Sequence, residues 1–143
     1  MSDTILSEDD LFILGHVGAR AILAGFGADA TRILSVLQAE RPSNAGSFLM
    51  QAVWMYSTGR AREALEFLEG SPIFTAEING DEAVAFFLVL LKETGEIDRA
   101  RKLGNSILDD DLVASEAARH TVLKVLKDIE DMPPGRSKTL ALA

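Results

Sequence analysis

The chain contains no cysteine in its 143 residues. That absence excludes a disulfide framework and thiolate-ligated metal sites, and it leaves a cytosolic location as the simplest expectation. Basic residues are in deficit, with 14 Lys and Arg against 22 Asp and Glu and a formal net charge of −8. Such a surface repels phosphate backbones and anionic lipid heads, so neither nucleic acid nor a membrane is an expected partner. No Lys or Arg occurs in residues 1–10, which carry four acids, so a secretory leader is not expected either. Long apolar runs are also missing. The longest covers residues 83–91, far short of the roughly 20 needed to cross a bilayer as a helix. Histidine occurs twice, as His16 and His120, and tryptophan once, as Trp54.

What the chain does have is 48% hydrophobic content, enough to build a core without staples. One helical domain is expected over residues 1–132, with a flexible tail at 133–143. Ser7 and Asp10 are spaced as a capping box with a shortened acid, and Leu6 can staple onto Leu11, so a first helix is expected to residue 24. A second follows over 29–40, closed by Pro42. Asn44 is placed to cap a third that ends at Gly59, and a fourth carries Ala64, Leu65, Phe67 and Leu68. Residues 70–80 are expected to be loop, longer than a usual helix connection. The fifth helix, over 81–94, is apolar nearly all round, which marks it as central or covered by a partner. The sixth, over 96–108, is amphipathic, with Asp98 and Lys102 placed to pair. After Asp109, Asp110 and Asp111, a last helix displays Ala118, Val122, Val125, Leu126 and Ile129 at helical spacing.

A periodicity underlies these elements. Glycine is followed five residues later by alanine three times, as Gly25 and Ala30, Gly59 and Ala64, Gly95 and Ala100. Both series step by 34 and then 36 residues. The spacing is close to the ~34-residue period of tetratricopeptide helix hairpins, which need a small residue where two helices meet. Gly18, Ala30 and Pro42 fall at the expected small and closing positions of the first unit, while Leu88 replaces a small residue in the third. The tryptophan and tyrosine signatures of that repeat are missing. The expected fold is therefore all-α: three tetratricopeptide-like helical hairpins plus a C-terminal capping helix, forming an α–α superhelix.

The order and lengths of these elements resemble the small tetratricopeptide-like proteins of bacterial type III secretion systems. The nearest are the Hrp-type proteins and the needle-subunit chaperones. The segments that carry the likeness are ILSVLQAERP at 33–42, VWMYSTGRAREALEFL at 53–68, and residues 86–108 with their Thr94-Gly95-Glu96 turn. The resemblance implies a cytoplasmic chaperone linked to virulence, which keeps an amphipathic helix of a needle or pilus subunit soluble before export. A small helical co-chaperone is a further partner on that reading, while a homodimer belongs with the self-associating alternative. The alternative is a generic tetratricopeptide interaction scaffold or self-associating module, whose groove another copy or residues 140–142 of its own tail would fill.

In tetratricopeptide folds the first helix of each hairpin lines the concave face. The corresponding positions here are Phe12, His16, Ala19 and Ile22, then Leu49, Val53 and Tyr56, then Ala85, Val89 and Lys92. That lining is apolar and suits the apolar face of a client helix. The related carboxylate clamp of Lys, Asn and Arg is not expected, because its equivalent positions hold Gly15, Ala19, Met50, Glu82 and Phe86.

No residue pattern calls for catalysis, a cofactor or a metal. His16 and His120 fall on separate helices, and the three-aspartate run lacks the spacing and glycine of a calcium loop. Gly25-Phe26-Gly27 follows no strand and is a chance match to a dinucleotide loop, and Gly135-Arg136-Ser137-Lys138 lies in a proline-led tail. Trp54 lies off the groove and is assigned to packing between hairpins.

Overall fold

The computed structural model describes residues 7–133 and consists of helices joined by short turns. Seven α-helices occur among the described residues: α1 (Glu8–Leu23), α2 (Gly27–Glu40), α3 (Gly46–Ser57), α4 (Ala61–Glu69), α5 (Gly80–Glu93), α6 (Ile97–Asp109) and α7 (Glu116–Glu130), with one 3₁₀ turn at Pro72–Thr75. The all-α class is as expected. Two compact units divide the chain, Met1–Gly80 and Asp81–Ala143. Leu6, the proposed staple, and residues 134–143, which include the Gly135–Lys138 segment and the 140–142 tail, lie outside the described residues.

The capping box forms as the sequence predicts: the Asp10 N–H donates to Ser7 Oγ at 3.1 Å, and the Ser7 N–H donates to Asp10 Oδ2 at 3.0 Å. The three glycines make the same turn three times. Gly25, Gly59 and Gly95 have φ of 90°, 81° and 84°. The N–H of the next residue, Phe26, Arg60 or Glu96, reaches back to the carbonyl of Ala21, Met55 or Leu91 at 2.7, 2.9 and 2.8 Å. Each glycine N–H bonds to the carbonyl three residues before it, at 3.0–3.1 Å. This is the Schellman arrangement, which satisfies the last carbonyls of one helix and needs a left-handed residue. Thr58 and Thr94 add hydroxyl bonds to the same carbonyl ends.

The turn hands directly to the next helix, so α2 begins at Gly27, two residues before the expected start. Phe26, Arg60 and Glu96 serve as N-caps without a side-chain cap, and their carbonyls receive the N–H of Ala30, Ala64 and Ala100. All three alanines are fully buried. The repeat is thus one backbone device used three times, a left-handed glycine followed five residues later by a buried methyl-sized side chain. Alanine at Gly25, Gly59 or Gly95 meets no atom within 4 Å, so the cost is conformational alone. Each substitution is expected to destabilise by about 1–2 kcal/mol, equally at the three sites within error, as urea unfolding would measure.

In the first unit α1 packs on α2, α2 on α3 and α3 on α4. Gln38 Nε2 donates to Gln51 Oε1 at 2.7 Å between α2 and α3, and Gln51 is the one buried polar residue of the described core. Phe48 and Phe67 pack at 6.2 Å between ring centroids across α3 and α4. Trp54 lies across the start of α2, where a Cβ on Gly27 would overlap its indole, and the Arg60 guanidinium sits 4.4 Å above the ring. Its assignment to hairpin packing agrees with this placement.

The segment expected as plain loop is ordered by long-range bonds. Ile73 of the 3₁₀ turn is buried. The Glu77 and Ile78 N–H groups donate to the Ser43 carbonyl at 2.9 and 3.1 Å, and the Ala45 N–H donates to the Ile78 carbonyl at 2.8 Å. The N-cap of α3 is Ala45, without a side-chain cap, so Asn44 stands one residue before the capping position expected for it; its Oδ1 accepts from the Gly46 N–H and from Asn79 Nδ2, both at 2.9 Å.

In the second unit, α5 is a core helix. Ala83, Ala85, Phe87, Leu88, Leu90 and Leu91 are buried, and no residue of the 83–91 run is exposed. α7 runs beside α5 in the same direction. Asp81 at the start of α5 accepts the N–H groups of Ala114 and Ser115 at 2.7 and 3.0 Å, and Lys92 near its end reaches Asp128 at 3.2 Å. α7 also packs on α6, with Leu126 against Gly104. It therefore occupies the place of the first helix of a further hairpin, and its buried stripe is the predicted Ala118, Val122, Val125 and Ile129. Asp98 pairs with Arg101 at 3.1 Å rather than with Lys102, because the i,i+3 guanidinium reaches its carboxylate.

Candidate functional site

The helices of the first unit leave an open cavity of about 730 Å³. One wall is α1, whose Leu11, Gly15, His16, Ala19 and Leu23 line it through a helical repeat of three and four. The floor is Leu34 and Leu37 of α2, and the far wall is Gly46, Ser47 and Met50 of α3. The ordered return at Ile78 and Asn79 closes one end. Small residues make the space: Gly15 and Ala19 face it where larger side chains would fill it.

The rim is charged, and the lining is mainly apolar with Ser43, Asn44 and Ser47 as polar members. Glu8 and Arg41 pair across the rim at 3.1 Å, and Arg20 lies at the same margin. The Glu8 side chain is 89% exposed, so this pair adds little to stability. Leu23 lines the cavity yet is 87% exposed, and Phe26 in the adjoining turn is 60% exposed. Apolar surface therefore continues outward past the cavity mouth.

Of the expected groove residues, His16 and Ala19 line this cavity. Phe12 lies on α1, with its side chain outside the described set. Ile22 and Leu49 are half-buried, while Val53 and Tyr56 are 39% and 37% exposed. None of these four is among the cavity-lining residues. In the second unit, Val89 is half-buried. Ala85 is 3% exposed and offers no contact surface, because the all-round apolar α5 buries that side as well. Lys92 is held by Asp128 at 3.2 Å and Glu93 at 3.7 Å, so it acts in the packing of its own unit.

Asp128 accepts from both Lys124 and Lys92, and these two hydrogen bonds, Lys124 first, hold its carboxyl below the usual aspartate value. The arrangement is an ion-pair node between α5 and α7. His16 and His120 are both exposed on their helices. Asp109, Asp110 and Asp111 are exposed as well, and Asp111 pairs with Arg119 at 3.1 Å. No group of three or more His, Asp or Glu among the described residues is placed to hold a metal ion, and no helix among them is long and apolar enough to cross a membrane.

Sequence reasoning missed Leu11, Leu23, Leu34, Leu37 and Ile78 as cavity residues. Gly15 and Met50, two of the positions equivalent to the carboxylate clamp, also line the cavity. The signal for Ile78 is absent locally, since only its bonds to residues 43–45 bring it there. No family model, curated protein or solved structure matches this chain.

Proposed function

We propose that this protein is a non-enzymatic binding module that takes apolar side chains of a client helix into the cavity of its first unit. The carrying observation is the cavity itself, about 730 Å³ with a mainly apolar lining, a charged rim and the exposed Leu23 at its margin. That volume lies within the ~300–1,000 Å³ of ligand clefts. It suits the anchors of an amphipathic helix at i, i+3 and i+4, with the polar face of the client left in solvent. Apolar burial at roughly 25 cal/mol per Å² drives the association, less the cost of ordering the client.

The client class comes from the resemblance stated above. On that reading the protein is a cytosolic chaperone of a type III secretion system, and the client is the aggregation-prone helix of a needle or pilus subunit. The net charge of −8 supports a soluble protein client over nucleic acid.

Co-expression with candidate needle subunits, followed by titration of the corresponding helical peptides, tests both statements. Met50→Asp and Ala19→Arg place charge inside the cavity and are expected to weaken binding at least about tenfold, with helicity retained by circular dichroism. Val53→Asp, outside the cavity, is expected to bind like the parent. If Val53→Asp loses the client and the cavity variants keep it, the site lies elsewhere on α3. If no needle subunit is solubilised but another amphipathic helix binds, the cavity reading stands and the secretion reading falls.

A further inference from the structure

The first hairpin packs on α3 through α2, and a separate side of α1 is left in solvent with an apolar centre. Ile13 and Val17 on that side are 58% and 47% exposed. Terminal helices of stacked hairpins ordinarily present a polar outer face; the exposed side of α7 carries His120, Lys124 and Lys127 around a single aliphatic residue, Leu123, whereas α1 exposes two in succession. Large side chains exposed in this way mark an interaction surface.

The pattern along α1 says what kind. The exposed residues Asp10, Ile13, Val17 and Arg20 follow one another at intervals of three, four and three, which is the spacing of a coiled-coil seam. An acid stands at one end of the seam, a base at the other, and two aliphatic residues lie between them. The seam is therefore complementary to itself when reversed.

We infer that this side of α1 is a homodimer interface, formed by α1 of a second copy lying antiparallel across a two-fold axis near the middle of the helix. In that arrangement Ile13 packs on Val17 of the second copy, and Asp10 pairs with Arg20 of the second copy at both ends. A parallel pairing would set Asp10 against Asp10 and Arg20 against Arg20, so charge selects the antiparallel form. The opposed helix dipoles favour the same direction. The capping bond of Asp10 uses Oδ2, and a carboxylate accepts several donors, so capping and pairing are compatible. Two single helices bury less than the ~1,200 Å² of a standard interface, which makes the dimer reversible and concentration-dependent. This inference goes beyond the client-binding reading, uses a side of α1 that meets the cavity margin only at Arg20, and is tested without a client.

Sedimentation equilibrium of the full chain from about 10 µM to about 1 mM reads the result directly. The weight-average mass is expected to rise from the 15.4 kDa monomer toward twice that value. Val17→Asp is expected to hold the protein monomeric, and its exposure lets the variant fold, as circular dichroism would verify. Arg20→Glu and Asp10→Arg are each expected to lower the association constant about tenfold or more, and the Asp10→Arg/Arg20→Glu double variant to recover most of it. The proposal is overturned if the wild type stays at the monomer mass throughout. It is equally overturned if Val17→Asp dimerises like the parent, or if the double exchange is no better than the single ones.

Discussion

Leu88→Ala is expected to destabilise the protein by about 2–5 kcal/mol, the range for deleting a buried leucine side chain where the surroundings relax only in part. Leu88 is fully buried near the middle of α5, between Phe87 at 3% exposure and Leu90 at 0%. The position has a specific interest, because the repeat register expects a small residue there, as at Gly18 and Ala52. A Cβ on Gly18 would already stand 3.5 Å from Ile33 and Leu34, and Ala52 is completely buried. If helix spacing in the third hairpin matched the first, alanine at 88 would restore the pattern at no cost. Full burial of the larger leucine says instead that its surroundings are filled and that removing it leaves a void. Urea unfolding with an unchanged slope would measure the loss. A change below about 1 kcal/mol would place Leu88 in a site able to collapse, and the tight packing assigned to α5 would be withdrawn. For a protein of ordinary stability, about 5–15 kcal/mol, the expected loss approaches the whole margin at the lower end.

The parts of the fold legible in the sequence are those set by local chemistry. A left-handed backbone at φ near 85° is nearly a glycine monopoly, so Gly25, Gly59 and Gly95 announce their turns without any tertiary information. The capping box at Ser7 and Asp10 is equally local, needing only two side chains three residues apart. The connection over residues 70–80 is not legible for the opposite reason. Its order comes from backbone bonds to residues 43–45 and from one buried isoleucine, contacts more than thirty positions away in the chain. No periodicity of two or 3.6 survives in such a segment, and composition alone gives a loop.

The candidate site divides along the same line. The repeat register numbers His16 and Ala19 as groove positions, and on α1, where buried and exposed residues alternate, both are open to the cavity. α5 offers no contrast, so assigning one of its sides to a groove had nothing to distinguish Ala85 from its neighbours, and Ala85 is core. Lys92 is polar at the end of that helix, but a lone charge does not reveal its partner. Asp128 lies 36 residues later and becomes its neighbour only because α7 runs beside α5. The cavity floor at Leu34 and Leu37 belongs to the second helix of its hairpin, a helix the concave-face rule leaves out.

Gly27→Ala is expected to destabilise by about 1–3 kcal/mol, the cost of overpacking a filled contact, although helix propensity alone predicts a gain. Gly27 is the first residue of α2 and its φ is not positive, so the backbone accepts alanine. In an exposed helix the exchange would add up to about 1 kcal/mol of stability. Here the indole of Trp54 occupies the place a Cβ would take. The ring is half-buried and held under the Arg60 guanidinium at 4.4 Å, so it can leave only by giving up its contact with α2 and the cation–π stack. The sign therefore depends on the tryptophan, and a double-mutant cycle isolates it. In a Trp54→Ala background the same Gly27→Ala change is expected to be neutral or stabilising, because the opposing atoms are gone and only propensity remains. Trp54 is the single tryptophan of the chain, so its emission reports the displacement directly, moving to the red in Gly27→Ala as the indole enters water. Destabilisation that persists in the Trp54→Ala background would mean that the α2 start is strained by something other than the indole. An unshifted emission would mean that α2 retreats while the ring stays, and the junction between the first two hairpins would then be the softer element.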